Sequence, residues 1–500
     1  MFGKVLVANR GEIAVRVLRA CRDLGIRSVA VYSEPDATAL HARYADEAYC
    51  IGGGPAAESY LDAAKIIDAA RRCGAEGIHP GYGFLSEQAA FAEACAEAGI
   101  AFIGPSPATL RLLGDKVAAR RLAEAAAVPT VPGTPERVTV EEALTVAPRI
   151  GYPLMIKAAA GGGGKGIRRV EEPAGLEPAL RLAAAEAQAS FGDPGLYLEK
   201  YLDPVRHVEV QVLADAYGSV VHLGERECSV QRRSQKLVEE SPSTAVDAAL
   251  RARLGEAAVA LARGAGYANA GTFEFLLDRD GRFYFIEANA RLQVEHSVTE
   301  LVSGIDLVRE QLRIAAGEPL GYGQADINLT GWAVECRIIA EDVEAGFLPS
   351  LGRIEQLSEP SGPGIRVDSC LWPGLEVGPH YDSLLAKLVA WGMDRPEALA
   401  RLRRALAEYQ VVGVKTTIPF HRQLLENDDF LAGRIDTHFV ERRFAVASPE
   451  AANGDEALMV AALLSHERRK GSPAPESAWR RAARLAATQR RGGGSWRSTF

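Results

Sequence analysis

The densest concentration of reactive side chains runs from Gly271 to His296, GTFEFLLDRDGRFYFIEANARLQVEH. Glu274 and Glu287 stand on two aromatic and apolar runs separated by Arg279, Asp280 and Gly281, a strong β-hairpin signal. With a two- or four-residue turn the pairing sum of such a hairpin is odd. Glu274 and Glu287 then share one face, because side chains alternate along a strand, and Asn289 joins them at i+2. Carboxylates facing each other across strands repel, so a cation between them is expected, and hard oxygen donors select Mg²⁺ or Mn²⁺. The alternative is two solvated glutamates on an outer face. Against it, Arg291, Gln293, Glu295 and His296 follow the hairpin and put a cation, an amide, a carboxylate and an imidazole into six residues.

Three more stretches bear chemistry. ERECSVQRRSQKLVEE, from Glu225 to Glu240, places Gln231, Arg232, Arg233 and Lys236 close together; a solvated charge run is the plain alternative. HVEVQVLAD alternates strictly, with His207, Glu209 and Gln211 on one face and Val208, Val210 and Val212 on the other. YPLMIKAAAGGGGKGI, from Tyr152 to Ile167, is a strand followed by four consecutive glycines. Its formal GxGxxG is weak, since Ile167 to Val170 reads as a returning strand where a dinucleotide fold needs a helix. Lys165 is followed by Gly166, so it is not a Walker A loop either. A glycine flap between strands remains, able to bring backbone amides close to phosphate oxygens and flanked by Lys157 and Lys165.

The elements that must position these groups follow from the chain as a whole. With 500 residues, 47% apolar and 24% charged, two to four globular domains are expected. A net charge of -8 argues against a general nucleic-acid binder, and no apolar run is long enough to span a membrane or act as a secretory leader, so a cytoplasmic protein is expected. Seven cysteines scattered singly, without CxxC, argue against zinc and disulfide frameworks and read as small buried hydrophobes. A strand at Val5 to Ala8, a helix at Glu12 to Leu24 and a strand at Ser28 to Tyr32 open a βαβ domain with a parallel sheet. GPSP at Gly104 to Pro107 and GDK at Gly114 to Lys116 read as the linker out of it. A helix over Glu177 to Phe191 and a strand over Leu196 to Leu202 follow the flap. From Gly331, WAVECRIIAED and HYDSLLAKLVAW are strands ending in a helix from Pro396 to Glu408, an α+β domain packed against the preceding part. Residues 447–500 read as a basic, flexible tail with one helix around Ser477 to Gln489.

EANARLQVEH resembles the signature of biotin carboxylases, ATP-grasp enzymes that carboxylate biotin in acyl-CoA and pyruvate carboxylases. ANRGEIAVR, HPGYGFLSE, WAVECRI and YDSLLAKL match the same family in the same order, from residue 3 to about residue 444. The resemblance implies a Rossmann-like N-terminal domain (1–114), an ATP-grasp domain (115–330, lid about 131–203) and a C-terminal α+β domain (331–446). It implies ATP contacts from Lys116, Lys157, Gly163, Gly164, Glu199, Leu202, His207, Gln231, Glu274 and Glu287, and Mg²⁺ or Mn²⁺ on Glu274, Glu287 and Asn289. Lys236, Arg291, Gln293, Val294 and Arg337 would hold bicarbonate; Glu295 would act as general base and Arg337 would stabilise the biotin enolate. His79 is expected to be a structural loop histidine. The sequence departs from the family at Gln88, Ile167, Ser234 and Ala290, of which Ser234, in place of a histidine near the ribose, implies weaker nucleotide contact.

The resemblance implies ATP-dependent carboxylation of biotin through carboxyphosphate, the first half-reaction of an acetyl-CoA or other acyl-CoA carboxylase, as in fatty acid biosynthesis. Another carboxyphosphate-forming ATP-grasp ligase, a catalytically silent scaffold and a nucleic-acid binder using the basic tail are the rivals. The only methionines are Met1, Met155, Met393 and Met459, and none adjoins a lysine, so the AMKM-like site of a biotin carrier is absent. Biotin is therefore expected on a separate carrier protein, with a carboxyltransferase as second partner and a homodimer as the assembly.

Overall fold

The computed structural model describes residues 1–158 and 168–444. A five-stranded parallel sheet opens the chain: β1 (Lys4–Val7), β2 (Arg27–Tyr32), β3 (Glu47–Cys50), β4 (Gly77–His79) and β5 (Ala101–Phe102), in the order β3-β2-β1-β4-β5. The helix Gly11–Asp23 follows β1 without a side-chain cap and buries Ile13, Val17, Leu18 and Cys21. The expected βαβ opening is thus present. GPSP is less a linker than a helix start: Ser106 caps Pro107–Gly114 by accepting from Thr109 N at 3.1 Å, and Pro107 takes the first position, where its missing N–H is not needed. Asp115 likewise caps Lys116–Ala125, accepting from the amides of Val117 and Ala118 at 2.9 and 3.1 Å.

A small antiparallel sheet comes next, β6 (Leu154–Ala158), β7 (Arg168–Val170) and β8 (Leu196–Lys200), in the order β7-β6-β8. It packs Leu154, Ile156, Leu196 and Leu198 against Ala143 and Ala147 of the helix Val140–Ile150 and Leu180 and Ala183 of the helix Leu176–Phe191. The first of these helices carries a Thr139–Glu142 capping box. The returning strand after the glycines is present as β7, while Gly163 and Gly164 themselves lie outside the described residues.

The rest is built on one eight-stranded sheet of β9 (Arg206–Ala214), β10 (Val220–Arg232), β11 (Gln235–Ser241), β12 (Asn269–Leu277), β13 (Phe283–Asn289), β14 (Trp332–Ile339), β15 (Ile365–Ser369) and β16 (Leu384–Gly392), ordered β13-β12-β9-β10-β11-β14-β16-β15. Its outer strands correct one expectation. The third part does not merely pack against the second, because β11 and β14 are hydrogen-bonded neighbours. One face of the half containing β9 and β12 buries Val208, Val210, Val212, Phe273 and Phe275 against the helix Ala248–Gly264. The helix Arg395–Glu408 covers the other half through Ala398, Leu402 and Leu406. Six cysteines are buried and Cys50 is exposed, all as free thiols. No helix among the described residues is long and apolar enough to cross a membrane. The expected tail helix at 477–489 lies outside the described residues.

Candidate active site

The hairpin loop is neither of the two lengths expected. Asp278 and Arg282 close a three-residue loop, Arg279, Asp280 and Gly281, with Gly281 at φ +74°, and the pairing beyond it is even, Phe275 opposite Phe285. A bulge between Glu274 and Phe275 then adds a residue to β13 and restores Glu274 opposite Glu287. The face was foreseen, but the bulge sets it. On the other side of β12, Glu209 of β9 also pairs with Glu274. Three glutamates therefore stand abreast across β9, β12 and β13.

Cations and amides hold this row in place. Lys236 Nζ lies 2.6 Å from Glu209, 3.2 Å from Glu274 and 2.6 Å from Glu295. It is aimed there by a two-residue turn between β10 and β11, in which Arg233 and Ser234 take φ +48° and +65°, the left-handed pair of a type I′ turn. His207 Nε2 meets Glu274 Oε2 at 2.8 Å, so this histidine is neither solvated nor free. Burial, the largest influence, lowers its pKa, but the charge of Glu274, the hydrogen bond to it and the charge of Glu209 together make the net shift upward. Asn289 Nδ2 and Gln293 Nε2 each donate to Glu274 Oε1 at 2.8 Å.

The loop between β13 and the helix His296–Ser303 carries the second cluster. Arg291 donates to Glu87 Oε2 at 2.9 Å and to Asn289 Oδ1 at 2.9 Å. Glu295 accepts from Lys236 at one oxygen and from Arg337 Nη2 at the other, 2.9 Å away. Burial alone would raise the Glu295 pKa; Lys236, Arg337 and Arg226 hold it well below the carboxylate range, so it stays ionised. Val294 presents its carbonyl to Lys387 Nζ at 2.7 Å, inside the protein.

Of the residues expected on the nucleotide side, Lys116 and His207 reach the row itself. Lys157 donates to Glu199 Oε2 at 2.5 Å, and Lys116, the first residue of its helix, approaches Glu287 at 3.6 Å. Leu202 lies half-buried just beyond β8, and Gln231 pairs with Lys236 across the β10–β11 hairpin. His79 is structural as expected: it is buried, its Nδ1 accepts from Gly81 N at 3.0 Å and its Nε2 meets Gln311. Among the described residues two clusters bring mixed donors within 4.8 Å, His207–Glu209–Glu274 and Glu209–Cys228–Glu295. Each is already neutralised by Lys236 and brings in an imidazole or a thiol. Glu274, Glu287 and Asn289 share one face as oxygen donors, the type a hard divalent cation takes; Glu274 is held there by Lys236 and His207, Asn289 Oδ1 accepts from Arg291, and Glu287 is partly exposed.

Sequence reasoning missed Arg226. Fully buried, it uses all five N–H donors on Glu209, Gln211, Thr299, Thr272 and Gln293, at 2.5 to 3.0 Å. The alternation of ERECSV could have flagged it, since Arg226 falls among positions whose neighbours are buried. Glu87 and Lys387 lay inside matched motifs without a role; only their long-range partners reveal one.

Three family descriptions match the chain in order: "Biotin carboxylase, N-terminal domain" at 1–110, "Carbamoyl-phosphate synthase L chain, ATP binding domain" at 115–322 and "Biotin carboxylase C-terminal domain" at 335–442. Biotin carboxylase 1 of Bacillus subtilis is 51% identical over 443 residues, covering 88% of this chain and 98% of its own. The biotin carboxylase of Nostoc sp. is 53% identical over 441 residues, covering 88% and 99%. Among solved structures, the biotin carboxylase domain dimer of Hydrogenobacter thermophilus 2-oxoglutarate carboxylase, in complex with MgADP, ADP and bicarbonate, superposes with a TM-score of 0.87 at 50% identity, covering 89% of this chain and 98% of that one. Family patterns in chain order, half-identical relatives of nearly full coverage and a matching architecture give one conclusion: the chain belongs to the biotin carboxylase family.

Proposed function

We propose that the protein is an ATP-dependent ligase that carboxylates biotin with bicarbonate through carboxyphosphate. The observation that carries this reading is the convergence of Lys236 and Arg337 on the buried carboxylate of Glu295, next to the Glu274–Glu287–Asn289 face. Both cations are suited to hold an anion where Glu295 can take its proton. While they are tied to Glu295 its basicity is suppressed. An entering bicarbonate that draws Lys236 and Arg337 onto its own oxygens releases the carboxylate to act as a base. Arg291 and Gln293, with the Val294 amide, complete the bicarbonate pocket, and the planar fork of Arg suits a planar anion better than Lys would. Arg337 then stabilises the negative oxygen of biotin while its ring nitrogen gives its proton to the phosphate leaving carboxyphosphate and bonds to the carboxyl carbon thus released.

Glu274, Glu287 and Asn289 would hold Mg²⁺ or Mn²⁺, which when bound neutralises charge on the ATP phosphates. Lys116, Lys157, His207 and Gln231, with the Gly163 and Gly164 amides, bind ATP, while Glu199 and Leu202 border the adenine. Ser234, in place of a histidine near the ribose, gives weaker or rearranged nucleotide contact without loss of chemistry, and Ala290 removes a hydroxyl but no ligand or base. The domains are taken as 1–114, 115–330, 331–446 and 447–500. Biotin arrives on a separate carrier protein and leaves to a carboxyltransferase; the assembly is a homodimer in the cytoplasm. The relatives include biotin carboxylases and the corresponding domain of a 2-oxoglutarate carboxylase, so an acyl-CoA and a 2-oxo acid are the two acceptor classes to assay.

The test is ATP turnover by the purified protein with Mg²⁺. Bicarbonate should give a slow rate and added free biotin a faster one, because biotin draws carboxyphosphate forward. A rate indifferent to both would rule the reading out.

A further inference from the structure

Behind Arg337 the sheet carries a second pair of carboxylates that the proposed reaction does not use. Glu239 of β11 and Glu335 of β14 are direct cross-strand partners, and both are fully buried. Directly opposite residues place their Cβ atoms about 5 Å apart on one face. Glu239 Oε1 accepts from Arg337 Nε at 2.6 Å, and Arg337 Nη2 reaches the same oxygen. Glu335 Oε2 accepts from Ser297 Oγ at the start of the helix His296–Ser303. The other oxygen of each side chain, Glu239 Oε2 and Glu335 Oε1, is buried and has no hydrogen-bond partner.

Two buried carboxylates held side by side cannot both stay ionised cheaply, and two orphaned acceptors add a desolvation cost. A single O–H between them removes both penalties. We propose that Glu239 and Glu335 hold one proton between them, with Glu335 as the acid and Glu239 as the charged positioning residue that aims Arg337 at Glu295. The positioning half rests on the roles given above to Arg337 and Glu295; the shared proton does not.

The surroundings agree with this division. Arg337, Glu295 and Lys236 face Glu239; burial pushes its pKa up to about 6, and the pull of Arg337 keeps it below that of Glu335, so the charge rests on Glu239. Glu335 faces Ser297, Glu239, Lys387 and Arg337, with the Tyr82 phenol close enough to feel its charge. Lys387 is spent elsewhere, on the Val294 carbonyl at 2.7 Å and near Glu12 and Asp368 at 3.6 and 3.7 Å. Burial, reinforced by Glu239 and opposed by Lys387, pushes the Glu335 pKa up to about 8. A second full charge beside Glu239 would compete for the Arg337 guanidinium and turn it away from Glu295.

The test joins infrared spectroscopy to kinetics and stability. At neutral pH the wild-type minus Glu335→Gln difference spectrum should contain the carbonyl stretch of a protonated carboxylic acid. No such band, or its appearance only in the Glu239→Gln difference, would overturn the assignment of the proton. Glu335→Gln supplies a permanent donor to Glu239 and should keep biotin-stimulated turnover within about threefold of wild type, whereas Glu239→Gln should lower it about tenfold or more. Unchanged turnover in Glu239→Gln would overturn the positioning role. The raised acid costs stability progressively as pH rises from its unfolded value toward its folded one. The unfolding temperature of Glu335→Gln should therefore gain on wild type as pH rises across that window, and a loss there would count against the shared proton. Wild-type protein without any biotin-stimulated turnover would sink the reading of Arg337 and Glu295, while the band would still decide the proton.

Discussion

Arg226 offers the sharpest energetic test of how the site is held together. Its guanidinium ties the glutamate row, through Glu209, to the loop after β13, through Gln293. Arg226→Met leaves Gln211, Thr272, Thr299 and Gln293 without their donor. Glu209 keeps Lys236 at 2.6 Å, so its charge is weakened in support but not abandoned. Four neutral acceptors at about 1 kcal/mol each give a loss of about 4 kcal/mol, within the range of about 3–5 kcal/mol for breaking a buried ion pair. Arg226→Lys retains charge but loses the fork and at least two donors, for about 2 kcal/mol. Urea unfolding should be followed both by tryptophan fluorescence, to which all five tryptophans contribute, Trp332, Trp372 and Trp391 among them, and by circular dichroism, since coincident curves justify a free energy. A second readout is kinetic: KM for bicarbonate should rise in both variants while KM for ATP changes little, because Gln293 is freed and Lys157 and Lys116 are untouched. An Arg226→Met cost below about 1 kcal/mol would refute the reasoning, since no buried five-donor hub can be that dispensable.

Other perturbations probe separate parts of the account. Glu300 is buried between Arg16 and Arg366, at 2.9 and 2.7 Å; burial would raise its pKa, but the two guanidiniums hold it down to about 2. Its stabilisation is therefore present above the unfolded carboxylate value and lost as pH falls toward the folded one, so the stability deficit of Glu300→Gln, about 3 kcal/mol at neutral pH, should shrink in urea titrations taken through that acid window. Glu287→Gln should raise the Mg²⁺ needed for half-maximal turnover about tenfold or more, whereas Glu295→Gln should abolish bicarbonate-dependent turnover and leave calorimetric nucleotide binding nearly intact. Equal loss of nucleotide affinity in both would contradict the division of roles. A streptavidin blot of the protein made together with an active biotin ligase should be blank, because no lysine adjoins a methionine; a band at its mass, located to a lysine, would show that the chain carries its own biotin.

Much of this site could be read from the sequence because its groups sit on strands with strict alternation. His207, Glu209 and Gln211 emerge on one face because Val208, Val210 and Val212 need the other. The placement of Glu274 opposite Glu287 was legible for an incomplete reason: the loop is a residue different from expectation and a bulge compensates, and local turn chemistry does not announce a bulge farther along. The join between the second and third parts was not legible. Whether β14 pairs with β11 or packs on it depends on partners about a hundred residues apart, and periodicity within WAVECRII is the same in either case. The buried charges beyond the motifs escaped for the same reason. Arg226, Glu239, Glu335 and Lys387 look like ordinary strand residues until the sheet brings their partners to them.

The claim that the molecule carboxylates biotin is tested most directly by following the carbon. Isotopically labelled bicarbonate, ATP, Mg²⁺ and free biotin are incubated with the protein and the biotin is isolated under alkaline conditions. The account predicts label on biotin that requires ATP and is lost in Arg337→Ala, with ADP and phosphate formed in step. ATP consumed at the same rate while biotin stays unlabelled would contradict it.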